Sequence, residues 1–120
     1  MGAPRLGCTV YGVATIDNRG RVADAVVQRA LGWTANARLD IREHSGLILV
    51  IADQREMFCV SNDGYVRLPA TVRRWCGLAP GDRVLLAANA DENLLFVYPP
   101  ATLDTLIVQS GALVLGGDVA

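Results

Sequence analysis

Eleven arginines and no lysine carry all the positive charge of this 120-residue chain. Arg19 and Arg21 flank a tight-turn signal, Asp17-Asn18-Arg19-Gly20. Arg67 lies just ahead of a second helical segment that bears Arg73 and Arg74, which project away from a Val72-Trp75-Cys76 apolar face. The guanidinium is a planar fork that donates two parallel hydrogen bonds, a geometry matched by phosphate oxygens and by guanine edges. Read from spacing alone, the same residues also fit an ordinary solvated surface. GC-rich coding accounts equally well for an all-arginine basic set.

Other chemistries find little purchase. His44 has no second histidine, so neither a His-based zinc site nor a Ser-His-Asp arrangement is available, and it reads as a solvated turn residue beside Ser45 and Gly46. Asp91 and Glu92 are adjacent and do not form a paired-carboxylate site. Cys8, Cys59 and Cys76 are widely spaced with no C-x-x-C, and read as buried free thiols of a reducing compartment. Trp33 and Trp75 each stand beside a helix-ending glycine on an apolar face, which predicts core packing over base stacking. No phosphate-cradling glycine motif is present in the sequence. The residues thus point to no enzyme, no cofactor and no metal.

The arginines need a scaffold, and the composition supplies one. Apolar residues make up 52% of the chain, enough for one domain with a real core. A net charge of -1 gives no global field towards nucleic acid or membrane, so any anion-binding surface is local. Up to Arg55 there are seven arginines against five acids, and beyond it four against seven, which makes the first half the more electropositive. The apolar run Leu47 to Ala52 is too short to span a bilayer, and the N-terminus lacks the apolar stretch of a signal peptide. A cytoplasmic location with no membrane association is expected.

Two stretches repeat one pattern. The first contains Gly20-Arg21-Val22, Val27-Gln28-Arg29-Ala30-Leu31-Gly32 and Arg38-Leu39; the second contains Gly64-Tyr65-Val66, Val72-Arg73-Arg74-Trp75-Cys76-Gly77 and Arg83-Val84. Each unit is too small to bury its own core, so one pseudo-two-fold domain is predicted. Short helices are expected near Asp24–Leu31, with Asp24 as the cap, and near Pro69–Cys76, with Pro69 in the first helical position. Strands are expected over Tyr11–Ile16, Arg38–Glu43, Leu47–Ala52, Arg83–Ala88 and Leu94–Tyr98. Asn62-Asp63-Gly64 and Pro80-Gly81 supply turns, and Asn36 stands where Gly81 stands in the second unit. Ala101–Gln109 reads as one more short helix. Ser110–Ala120 reads as a loosely ordered apolar tail unless a partner covers it.

The second unit resembles the AbrB/MazE/SpoVT family of swapped-hairpin DNA-binding domains. The carriers are Asn62-Asp63-Gly64-Tyr65-Val66-Arg67-Leu68-Pro69, then Val72-Arg73-Arg74-Trp75-Cys76-Gly77-Leu78, then Pro80-Gly81-Asp82-Arg83-Val84. The first unit keeps Gly20-Arg21-Val22, Arg29 and Leu31-Gly32-Trp33 but lacks the proline. The resemblance implies a mostly β fold, a small swapped-hairpin β-barrel with two short helices. One chain would build it from repeats 10–53 and 57–99 within a single barrel domain, 10–100, followed by a C-terminal helix or tail, 101–120. It implies double-stranded DNA as the partner, and by position assigns contacts to Arg21, Arg29, Arg73 and Arg74, beside the Arg19 and Arg67 singled out above. Two departures stand out: Tyr65 replaces the basic residue after the second glycine, and Gln28 stands opposite Arg73. The function expected is a sequence-specific or semi-specific DNA-binding transcriptional regulator. The alternative is a MazE-like antitoxin, with a toxin partner, or a protein-interaction module with little DNA binding. Leu103, Leu106, Ile107, Leu113, Val114 and Leu115 make the tail more apolar than an exposed segment should be, and predict a homodimer of barrels formed through it.

Overall fold

The structure, a computed structural model, describes residues 9–22, 24–33, 37–52, 58–59 and 66–115. In chain order the elements are β1 (Thr9–Thr15), β2 (Arg21–Val22), α1 (Ala25–Leu31), β3 (Arg38–His44), β4 (Leu47–Ala52), β5 (Phe58–Cys59), β6 (Val66–Arg67), α2 (Ala70–Trp75), β7 (Arg83–Asn89), β8 (Leu94–Tyr98) and α3 (Pro100–Leu115). Six strands form one antiparallel sheet in the order β1-β7-β8-β4-β3-β5, while β2 and β6 pair with each other in a separate two-stranded ladder.

Local chemistry sets most of the boundaries. The β3–β4 hairpin turns on Ser45 and Gly46, both at positive φ, the two-residue geometry that matches strand twist. Pro80 and Gly81, with Gly81 at φ 93, reverse the chain into β7, closed by the Asp82 N–H donating to Ala79 O at 3.1 Å. Asp24 caps α1 by accepting from the Val27 N–H at 3.0 Å, and Gly32 ends that helix in the left-handed region. Alternation along the strands then sorts one face inward: Ala14, Val84, Leu86, Leu95, Val97, Ile48, Val50, Leu39 and Ile41 are all buried. Val27 and Leu31 of α1 and Val72 of α2 close over this core.

Several expectations need correcting. The small closed barrel is not formed among the described strands. β1 and β5 stand at opposite edges of the sheet, and β2, β5 and β6, at two residues each, are too short to carry hydrogen bonding round to closure. The third helix, expected over Ala101–Gln109, is present and is the longest described, but it runs without a break through Ser110 and Gly111, past the expected end at Gln109. Pro69 is the cap of α2, one residue before the helix starts. Trp75 is not a core residue but 67% exposed. In so short a helix Val72 and Cys76 share the inward side, about 40° apart, which leaves Trp75 turned outward on the other flank of Val72. Trp33 does pack against the core, as expected. The turns expected at Asn62-Asp63-Gly64 and Asn36, together with Tyr65 and Cys8, lie outside the described residues. No described helix is long and apolar enough to cross a membrane.

Candidate nucleic-acid interface

The turn at Asp17–Gly20 is the hub of the basic surface. Gly20 sits at φ 79 and donates its N–H to Asp17 O at 3.1 Å. The Asp17 carboxylate accepts the backbone N–H groups of Arg19 and Arg21, both at 2.8 Å, and the Arg21 Nε at 2.6 Å. Hydrogen bonding from the Arg21 N–H leads, supported by the Arg21 guanidinium and the Arg19 N–H. Together they outweigh partial desolvation and lower the Asp17 pKa to about 2.

The second half of the chain supplies the remaining partners of this turn. The Leu68 N–H donates to Gly20 O at 2.9 Å, and Arg67 Nε donates to Arg19 O at 2.9 Å. Arg73 Nε donates to Leu68 O at 3.0 Å, and its side chain lies so close over Gly20 that a Cβ there would fall 2.5 Å from Nε. In the β2–β6 ladder Arg21 stands directly opposite Arg67. Four of the six expected residues, Arg19, Arg21, Arg67 and Arg73, are therefore gathered on one turn and one ladder. Arg74 is exposed on α2 beside Arg73. Arg29 is exposed on α1, a helix packed against β1 and β7, and none of these contacts joins it to the cluster.

The roles within the cluster differ. Arg73, expected to project into solvent, is half-buried and bonded to backbone, so it is in part a strut of the turn. Arg21 is ion-paired with Asp17. Arg19, Arg67 and Arg74 are the exposed cations. Two arginines facing each other across a ladder repel, and Asp17 offsets only one of them; a phosphate lying over the pair would offset both. Sequence reasoning missed two participants. Asp17 was read only as a turn former, although the reversal that it opens brings it back beside Arg21. Trp75, exposed next to Arg74, carried no sequence signal that it faces outward.

Two recesses occur among the described residues: a cavity beneath α1, and a larger open cleft between the β3–β4 turn and the start of α3, lined by Ser45, Ala101, Thr102, Thr105 and Leu106. The cavity beneath α1, lined by Asp24, Gln28, Trp33 and apolar side chains, holds about 20 Å³, room for a water and little more. Cys76 is half-buried, and desolvation, helped by the Glu43 charge, raises its thiol pKa, so it is not an activated nucleophile. Comparisons with family models, with curated proteins and with solved structures return no match.

Proposed function

We propose that this chain is a DNA-binding transcriptional regulator of the AbrB type, contacting double-stranded DNA in a sequence-specific or semi-specific manner through the Asp17–Gly20 turn, the β2–β6 ladder and α2. The observation that carries this reading is the gathering of Arg19, Arg21, Arg67 and Arg73, which come from segments far apart in the chain, with Arg74 exposed alongside. Guanidinium contacts to phosphate would supply most of the affinity, and base-edge contacts the discrimination.

The strand pairing supports the swapped-hairpin architecture. Exchanging β1 with β5, β2 with β6, β3 with β7 and β4 with β8 maps the order β1-β7-β8-β4-β3-β5 onto itself read backwards. The register agrees as well. Thr15 pairs with Arg83 as Cys59 pairs with Arg38, and Ala14 pairs with Val84 as Phe58 pairs with Leu39. These matched ladders favour two intertwined copies of one unit, each lending its first strand to the other, with the basic turn near the pseudo-two-fold axis.

The test uses Arg19 and Arg74, whose side chains are exposed, and spares Arg73 because it braces the turn. Arg19→Ala with Arg74→Ala should weaken binding to every duplex tried. Each phosphate contact contributes about 0.9 to the slope of log K against log salt, so the slope should fall by roughly 2. Unchanged affinity and an unchanged slope on fluorescence-anisotropy titration would remove this surface from consideration. Exposed Trp75 favours the second reading, a MazE-like antitoxin or interaction module. A protein encoded next door that co-purifies with the wild type and is lost with Trp75→Ala, in a chain that binds no DNA, would establish it.

A further inference from the structure

Across β1, β7, β8 and β4 the sheet carries apolar residues on both faces, with Asp40 and Arg42 of β3 and Arg83 of β7 at the rim of the outer one. Val13, Leu85, Phe96, Tyr98, Leu49 and Ile51 alternate with buried core positions and therefore point to the side opposite the core. They form a continuous surface across β1, β7, β8 and β4: Val13 stands opposite Leu85, Leu85 opposite Tyr98, and Phe96 opposite Leu49. Val13 is exposed and the other five are only half-buried. A solvated antiparallel sheet face is normally polar, and an apolar one of this extent marks an interaction site.

α3 has the complementary defect. It is anchored at its start, where Thr102 Oγ1 donates to Gly46 O at 2.7 Å, and its main contacts with the sheet fall on β7. Beyond that, every residue from Asp104 to Ser110 is exposed, on all sides of two turns, including Leu106, Ile107 and Val108. Asp104 is its sole charged residue. A helix apolar on most sides must be covered. With no lysine or arginine it lacks the basic face that draws interfacial helices to anionic membranes.

We infer that the outer sheet face of one chain receives the α3 arm of a second copy, and that the exchange is reciprocal about a two-fold axis. Both predominantly apolar surfaces belong to the same polypeptide, and each is of a size to cover the other. The arm beyond the anchored first turn is about 18 Å long, against four strands spanning about 19 Å. One such helix, about 10 Å across, covers too little to reach the ~800 Å² per partner of a stable interface. Reciprocity doubles the contact, because each protomer gives an arm and a face, and a closed two-fold dimer leaves neither exposed. This inference rests on packing and stands or falls apart from DNA binding.

Sedimentation of the full chain at about 50 μM tests it, with circular dichroism melts as the check on folding. The wild type should run as a dimer. Ile107→Arg lies on an exposed helix where it cannot disturb the core, and should give a folded monomer. Phe96→Lys on the sheet face should do the same, the lysine reaching solvent from an outward position. Mixed, the two variants should stay largely monomeric at this concentration, since one arm on one face is too small a contact without its reciprocal. A monomeric wild type overturns the proposal. So does a Phe96→Lys protein that is still dimeric, which would mean that arms pair with arms. An arm that binds phosphatidylcholine–phosphatidylglycerol vesicles while the protein stays monomeric, or a Phe96→Lys chain that unfolds while Ile107→Arg remains dimeric, overturns it equally.

Discussion

Gly20 and Arg73 meet across the chain, and their contact ties the guanidinium of Arg73 to the turn that it covers. Any Cβ at Gly20 would strike Arg73, and the φ of 79 is strained for other residues. Gly77 offers a control, since it has φ 65 but nothing near its absent side chain. Gly77→Ala should cost about 1 kcal/mol for backbone conformation alone, whereas Gly20→Ala should cost roughly 2–3 kcal/mol. Urea unfolding of both, and of Gly20→Ala in an Arg73→Ala background, measures the difference; equal costs at the two glycines would mean that the Arg73 side chain swings aside without loss and does not brace the turn. Asp17 gives a pH-dependent counterpart. Its folded pKa of about 2 is below the ordinary value of 3.8, so its contribution is present above about pH 4 and is lost as pH falls through 2. Asp17→Asn should therefore melt below wild type at pH 7, with the gap closing between pH 4 and pH 2; a gap that persists at pH 2 contradicts the assignment. Spacing was enough to pick out the arginines as a set, because residue type and turn signals are local. That Arg73 bonds to Leu68 O and covers Gly20, or that Arg67 reaches Arg19, is set by contacts between distant segments that no spacing encodes.

The elements divide along the same line. β4 and β8 fall on the expected residues because each is an apolar run bounded by turn formers: Ser45-Gly46 before one, Asp91-Glu92-Asn93 before the other. α1 is equally legible, since an Asp cap, apolar positions at Val27 and Leu31 and a left-handed glycine are all local devices. Its cap predicts a cost. Asp24→Ala should destabilise the fold by about 1 kcal/mol, read as a lower urea midpoint with an unchanged slope. A value near zero would show that the Val27 N–H finds an equal partner in water. α2 was less legible, because it has no side-chain cap and buries little besides Val72, so its apolar spacing misplaced Trp75. α3 was misjudged at its end for a physical reason. Ser110 and Gly111 are poor helix formers, costing up to about 1 kcal/mol relative to Ala, but an interior glycine weakens a helix without stopping it. The outward apolar face of the sheet was hidden for another reason: strands apolar at nearly every position read as fully buried, whereas here Val13 is exposed and Leu85, Phe96, Tyr98, Leu49 and Ile51 are only half-buried.

At the scale of the molecule, the halves cannot stand apart. β1 finds its partner in β7 and β2 in β6, so the first half keeps only the β3–β4 hairpin and α1 if the second is removed. A lone two-stranded hairpin is marginal in water. The longest ladder joins Thr9 to Asn89, which requires closing most of the chain before its contacts reward it. Folding should therefore be slow for the size and all-or-none, with no stage at which one half is formed alone. Separate expression gives the clearest check. Residues 1–56 alone should show neither the amide dispersion nor the thermal cooperativity of a folded protein. Mixed with residues 57–120, they should form a one-to-one complex whose dichroism matches the intact chain, because the cut falls between β4 and β5 and severs no ladder. A fragment 1–56 that folds as a monomer would show that β1 and β2 find other partners, and the interlocked pairing would not be what holds the arginine turn in place.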